Sequence, residues 1–224
     1  MENVLVLDQK KYKIEIVDKA QTRADISFNI ILLGDSGVGK SCFSIRAIKD
    51  EFIEQIEGTY FISYDIKINN RSMCIQDVCG EDIYKSLVSN YYKNISIAIL
   101  MYAINDRESF DNIKSWLDDV KHQSRNDVMI ILVGNKTDLE KDRKITNKEG
   151  ADLAKKNNYY FKETSCETNT NVADVFETII LMTHKDMVKS GKFNYNEKEN
   201  METFKLTAEK NVLNDKTKQK KKCC

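Results

Sequence analysis

Residues 34–41 read GDSGVGKS, three glycines followed by a lysine and a serine at the spacing G-x-x-x-x-G-K-[ST]. That spacing suits one kind of chemistry. Gly34, Gly37 and Gly39 let successive backbone N–H groups turn inward around phosphate oxygens, and a helix starting just behind them adds its dipole. Lys40 then reaches the β- and γ-phosphates, and Ser41 supplies a hydroxyl to Mg²⁺. The expected phosphate-binding residues are Asp35, Ser36, Gly37, Val38, Gly39, Lys40, Ser41 and Cys42. A second candidate lies a hundred residues on, where residues 134–138 read GNKTD and provide Asn135, Lys136 and Asp138. An aspartate there accepts both donors on the N1–H and N2–H₂ edge of guanine. Adenine lacks that paired donor pattern. NKTD alone is a weak signal; downstream of a phosphate loop and at a strand end it is a strong one.

Both motifs need elements to hold them. FNIILL (28–33) is a short apolar run ending at Gly34, as a buried strand does, and Cys42 to Lys49 is helix-compatible. FISYDIKI (61–68) alternates, and the turn-like Asn69-Asn70-Arg71 leads into Met73–Val78, which predicts a hairpin. Ile95–Tyr102 and Val128–Val133 are two further buried-strand runs. Between them Phe110, Ile113, Leu117 and Val120 recur at helical spacing beside Trp116. Val172, Val175, Phe176, Ile179 and Ile180 mark another amphipathic helix. Strands alternating with helices imply a mostly parallel sheet covered on both faces. Ahead of this body, NVLVLDQKKYKIEIVD fits either a small hairpin or a simple extension. Beyond about Lys185 the apolar rhythm fades into a Lys/Asn/Glu-rich tail, expected to be flexible.

The bulk numbers fit a single domain with tails. The chain has 224 residues, 41% hydrophobic and 31% charged, with 35 basic against 35 acidic side chains, so no global field favours nucleic acid. No apolar run reaches the length of a membrane span, and the N-terminus lacks a secretory pattern. Of the six cysteines, Cys42, Cys74, Cys79 and Cys166 are scattered without metal or disulfide spacing, and Cys223 and Cys224 close the chain behind a lysine run.

GDSGVGKS, Asp77-x-x-Gly80, NKTD and ETSCE (163–167) together resemble the Ras superfamily. SLVSNYYKN (86–94), NDRESFDNIKSWL (105–117) and the terminal Cys-Cys are similar to its Rab branch. The resemblance covers roughly residues 28–185. It implies an α/β P-loop small GTPase fold: a mostly parallel six-stranded sheet with one antiparallel edge strand and helices on both faces. It divides the chain into an N-terminal extension (1–27), a GTP-binding domain (28–185) and a hypervariable tail (186–224). It also implies roles. Thr59 joins Mg²⁺ only when the γ-phosphate is present, Asp77 holds a Mg²⁺-bound water, and the Gly80 N–H meets the γ-phosphate. Ser165 supports the base pocket and the Cys166 N–H donates to the guanine carbonyl. Phe52 fits two places, against the guanine ring or in the core at a helix end.

The chain also departs from that pattern. Where the family usually reads Trp-Asp-Thr-Ala-Gly-Gln-Glu, residues 76–82 read QDVCGED, so the water-orienting glutamine is Glu81 and the preceding tryptophan is Gln76. Tyr60 and Phe61 follow Thr59 in place of Ile-Gly, and Glu167 replaces a lysine whose stem packs over the base. The expected catalytic set is therefore Glu81, Thr59 and Lys40, with the metal held by Ser41, Thr59 and Asp77. The resemblance further implies Mg²⁺ and GTP or GDP as ligands. The implied protein partners are an exchange factor, a GTPase-activating protein, effectors and prenylation and escort machinery. It implies a monomer with lipids on Cys223 and Cys224, on the cytosolic face of an intracellular membrane and with a soluble escorted pool. A pseudo-GTPase that holds nucleotide without turnover is the alternative that Glu81 raises. A P-loop kinase for a small metabolite is disfavoured by NKTD.

Overall fold

The structure, a computed structural model, describes residues 3–7, 10–16, 27–54, 61–68, 71–78 and 91–189. Four parallel pairings form its centre. Strand β3 (Ser27–Leu33) lies between β5 (Arg71–Val78) and β6 (Ile97–Ala103), β6 pairs with β7 (Met129–Asn135), and β7 pairs with β8 (Tyr160–Glu163). Strand β4 (Phe61–Ile68) pairs antiparallel with β5 along its whole length, from Phe61↔Val78 to Ile68↔Arg71. These are the six strands of the expected mixed sheet, five parallel and one antiparallel. The N-terminal segment forms a hairpin of β1 (Asn3–Leu7) and β2 (Lys10–Ile16), and β2 pairs with β4 at Glu15↔Lys67 and Ile16↔Ile66. The full order is thus β1-β2-β4-β5-β3-β6-β7-β8, and the outer edge of β4, open in a six-stranded sheet, gains a neighbour.

Burial follows the sequence periodicities. All seven residues of β6 are buried, as a strand covered on both faces requires. Successive residues of β3 point to opposite faces. Ile31 and Leu33 join one cluster with Tyr102, Ile113, Trp116, Leu117 and Val120, while Ile30 and Leu32 are equally buried outside it. The helix expected through 110–120 is two, α2 (Arg107–Asp111) and α3 (Ile113–Gln123), divided at Asn112. Asp106 begins α2 by accepting a hydrogen bond from the Glu108 N–H. On α3 the buried positions Ile113, Trp116, Leu117 and Val120 fall at one-turn spacing. Helix α1 (Lys40–Lys49) meets α5 (Val172–Lys189) through the stacked rings of Phe43 and Phe176, 5.8 Å apart.

Two elements carry no clear sequence signal. Helix α4 (Asn147–Asn157) buries only Gly150 and Ala154, too few apolar positions to mark a face. A reciprocal cap fixes its start: Thr146 accepts from the Glu149 N–H while the Glu149 carboxylate accepts from the Thr146 N–H. Strand β8 has four residues and owes its place to β7.

Candidate functional site

All five parallel strands run the same way, so the C-terminal ends of β3, β5, β7 and β8 lie at one edge of the sheet. That shared direction brings residues 34–41, Asp77, 135–138 and 164–167 together.

The loop after β3 is shaped by its glycines. Gly34, Gly37 and Gly39 have φ of 141°, 77° and 100°, which side chains rarely adopt. Two of them are also crowded: a Cβ on Gly34 would collide with the Met101 carbonyl oxygen, and one on Gly39 with Asn135 Nδ2. Helix α1 starts directly after Gly39, with no side-chain cap and no acidic residue in its first turn. Its leading N–H groups and positive dipole end therefore meet no acidic side chain from the helix's own first turn. Lys40 is buried and folds back over the loop, its Nζ donating to the carbonyls of Gly34 (2.8 Å) and Asp35 (2.7 Å). The Asp35 side chain turns toward the α2–α3 junction, where its carboxylate accepts from Asn112 Nδ2 and Trp116 Nε1, both at 2.7 Å. A negative group inside the loop would repel phosphate, and these two donors hold it elsewhere.

Asp77, near the end of β5, is wholly buried, and neither carboxylate oxygen completes an ordinary hydrogen bond among the described residues. Burial raises its pKa, with the Ser41 side chain and the Lys40 ammonium pulling it back down. A buried carboxylate short of donors beside a serine hydroxyl fits Mg²⁺ with its water shell. Such a cation commonly takes one or two protein oxygens and completes its octahedron with water and substrate phosphates. No group of three His, Cys, Asp or Glu among the described residues could hold a metal by itself.

The Asp77 carboxylate has a measurable consequence. Its folded pKa lies above the unfolded one, so its contribution to stability is fully present below the unfolded pKa and is lost as pH rises through the folded pKa. At neutral pH the buried charge opposes folding. Asp77→Asn is therefore expected to raise the Tm of the nucleotide-free protein at pH 7–8, by about 2–4 °C per kcal/mol relieved, and to weaken Mg²⁺-dependent nucleotide retention. Thermal melts with and without EDTA measure both. A lower Tm together with unchanged Mg²⁺ dependence would refute the account.

On the other side, Asn135 links the two motifs. Its Nδ2 donates to the Val38 carbonyl at 2.9 Å, and its Oδ1 accepts from Thr164 Oγ1 (3.0 Å) and Cys166 Sγ (3.5 Å). Its side chain, 1% exposed, is thus a brace within the protein. Asp138 is half-buried and its Oδ1 accepts from Ser165 Oγ at 2.5 Å; that hydroxyl in turn accepts from the Thr168 N–H. Lys136, half-buried, holds a left-handed conformation that turns the chain toward Asp138. Cys166 is buried, which pushes its thiol pKa up to about 12. Glu167 is exposed. Phe52 is 39% exposed and lies 6.0 Å from the Arg46 guanidinium, so of its two expected places the core is not the one it occupies. Cys42 Sγ donates to the Ile53 carbonyl at 3.3 Å.

Thr59, Gly80, Glu81, Cys223 and Cys224 lie outside the described residues. Conversely, the structure gives work to residues that lie within the quoted stretches but to which the motifs assign no role. Thr164 braces Asn135, and Asn112 and Trp116 hold Asp35. Trp116 reads in sequence as a core residue beside a helical stripe, and its indole N–H gives no hint of a partner 81 positions away.

The sequence model of the Ras family matches residues 29–185. The chain is 37% identical over 160 residues to the Ras-related protein Rab5 of Nicotiana tabacum, covering 69% of this chain and 80% of that protein. It is 33% identical over 165 residues to the Ras-related protein Rab-11C of Dictyostelium discoideum, covering 71% and 74%. To the Ras-related protein RABF2a of Arabidopsis thaliana it is 35% identical over 160 residues, covering 69% and 80%.

Proposed function

The chain belongs to the Ras family and is a Rab-type GTPase, and on that premise we propose that it is a guanine-nucleotide switch whose GTP state is long-lived because Glu81 stands where the water-orienting glutamine is usual. The observation that carries the nucleotide reading is Asn135. One buried side chain joins the Val38 carbonyl of the phosphate loop to Thr164 and Cys166 of the base loop, so both recognition loops form one braced unit.

Within that unit each residue has a task. The α1 N-terminus and Lys40 bind phosphates, and Lys40 needs only to exchange the carbonyls of Gly34 and Asp35 for phosphate oxygens. Ser41 and Asp77 would hold Mg²⁺, with Thr59 joining in the GTP state. The metal, when bound, neutralises charge on the β- and γ-phosphates. Asp138, oriented by Ser165, accepts the guanine N1–H and N2–H₂ donors, and the Cys166 N–H meets the guanine carbonyl. Thr59 and Gly80 sense the γ-phosphate and order the two flanking segments, which effectors then read. A pseudo-GTPase, holding nucleotide with no turnover, is the limiting case of the same Glu81 argument.

The tail adds the address. KKKCC at the terminus suits two lipid chains on Cys223 and Cys224 with a basic patch beside them, and two chains anchor stably where one is marginal. Among the described residues no helix is long and apolar enough to cross a membrane. The proposed place of action is the cytosolic face of an intracellular membrane in vesicle traffic, with exchange, GTPase-activating, effector and escort proteins as partners.

Competition against a fluorescent GDP analogue in Mg²⁺ tests the core of this reading. GDP and GTP are expected to displace it at near-stoichiometric concentrations and ATP to fail even at a thousandfold excess. Equal displacement by ATP would refute guanine recognition.

A further inference from the structure

None of the roles above falls on Arg46, although its side chain is only 12% exposed and is fully engaged. Its Nε donates to the Cys166 carbonyl at 2.7 Å and its Nη2 to the Glu167 carbonyl at 3.3 Å. Its Nη1 donates to the Asp50 carbonyl at 2.9 Å and lies 3.3 Å from the Asp50 carboxylate. That carboxylate oxygen also accepts from Asn169 Nδ2 at 2.9 Å, which closes a second path between α1 and the loop after β8. The guanidinium carbon sits 6.0 Å from the Phe52 ring centroid. One planar group therefore holds two consecutive carbonyls of the base loop, the C-terminal end of α1, and the aromatic expected against the base.

We infer that Arg46 is the positioning residue that locks the base-recognition loop to the phosphate-recognition helix and thereby sets how long a guanine nucleotide stays bound. The inference rests on the nucleotide reading above and deepens it. The Cys166 N–H is the group expected to face the guanine carbonyl, and anchoring the carbonyl of the same residue restricts the torsions that aim it. Within the loop Ser165 and Thr170 exchange backbone hydrogen bonds, which fix its own turn, while Arg46 and the Asp50–Asn169 bond fix where that turn sits against α1. A loop without the tie has to be ordered at every binding event, and ordering costs affinity. A lysine at position 46 reaches fewer carbonyls and does not stack on Phe52, because its charge is a point on a flexible stem where arginine presents a rigid fork.

The test uses the full chain loaded with a fluorescent GDP analogue in Mg²⁺ and chased with unlabelled GDP. Arg46→Ala is expected to release nucleotide at least tenfold faster, and Arg46→Lys to fall between it and the wild type. The acceleration that EDTA produces reports the phosphate end, and it is expected to stay within twofold of wild type in both variants. An unchanged release rate would overturn the inference. So would a release rate that rises only as the EDTA effect collapses, since that signature belongs to a generally disordered site. Should Arg46→Ala not fold, Arg46→Lys carries the test alone, and a wild-type release rate in it overturns the inference. A wild-type protein that retains no GDP refutes the nucleotide reading itself, whatever the variants do.

Discussion

Asp138→Ala is expected to lower GTP and GDP affinity by about a thousandfold while leaving the fold intact. Two charge-assisted hydrogen bonds to the guanine edge vanish together, and bonds of that kind contribute about 1.5–3 kcal/mol each. A combined loss of about 4 kcal/mol corresponds to three decades in the dissociation constant. The side chain is half-buried at a loop, and its contact among the described residues is the short bond from Ser165, whose hydroxyl keeps the Thr168 N–H. Its removal therefore leaves no cavity in the sheet. Titration with fluorescent GDP, beside a thermal melt of the nucleotide-free protein, separates the two effects. A loss below tenfold would mean that the base is read elsewhere, and a large fall in Tm would make Asp138 a structural residue.

Glu81→Gln is expected to speed phosphate release from GTP-loaded protein by about tenfold or more. A glutamine amide accepts from the attacking water and donates toward the transferring phosphoryl group, whereas an ionised glutamate only accepts. It also carries charge toward an anionic γ-phosphate. Two unit charges about 4 Å apart at an effective dielectric near 20 repel by roughly 4 kcal/mol before Mg²⁺ and Lys40 screen them. If about 1.4 kcal/mol of that survives in the transition state, the rate falls tenfold. Single-turnover phosphate release decides it. A faster glutamine variant makes Glu81 a brake and the wild type a long-lived switch. A wild type that matches or exceeds the variant would make Glu81 a working base and end the slow-switch reading. GDP affinity is expected to be equal in the two proteins, because the γ-phosphate is absent from GDP.

Much of the architecture was legible because local rules and the final fold agree. FNIILL, Ile95–Tyr102 and Val128–Val133 announce buried strands by unbroken apolar runs, and the structure places β3, β6 and β7 there with one residue or two of offset. FISYDIKI and its turn announce the β4–β5 hairpin, which pairs in full register. The stripe around Ile113, Leu117 and Val120 announces α3. Its division from α2 at Asn112 was not legible, since periodicity alone does not mark a break of one residue. Strand β8 and helix α4 were silent for a different reason. Four residues are too few to show a period, and a helix burying two small residues shows no face.

The sequence by itself determined the phosphate loop and the base-reading tetrapeptide. Their chemistry resides in contiguous residues: glycines that admit φ values of 77° and 100°, a lysine just behind them, an aspartate five places past the end of a buried run. Only the tertiary structure decided how the two are joined. Asn135 bridges to Val38 across 97 positions, Trp116 reaches Asp35 across 81, and Arg46 reaches Cys166 across 120. Each of these residues has an ordinary local reading, as a base contact, a core aromatic or an exposed helical arginine. Its partner is set by which loops the parallel strands deliver to the same edge of the sheet. A hydrogen bond depends on distance and angle in space, and chain separation of that size carries no information about either until the sheet has formed.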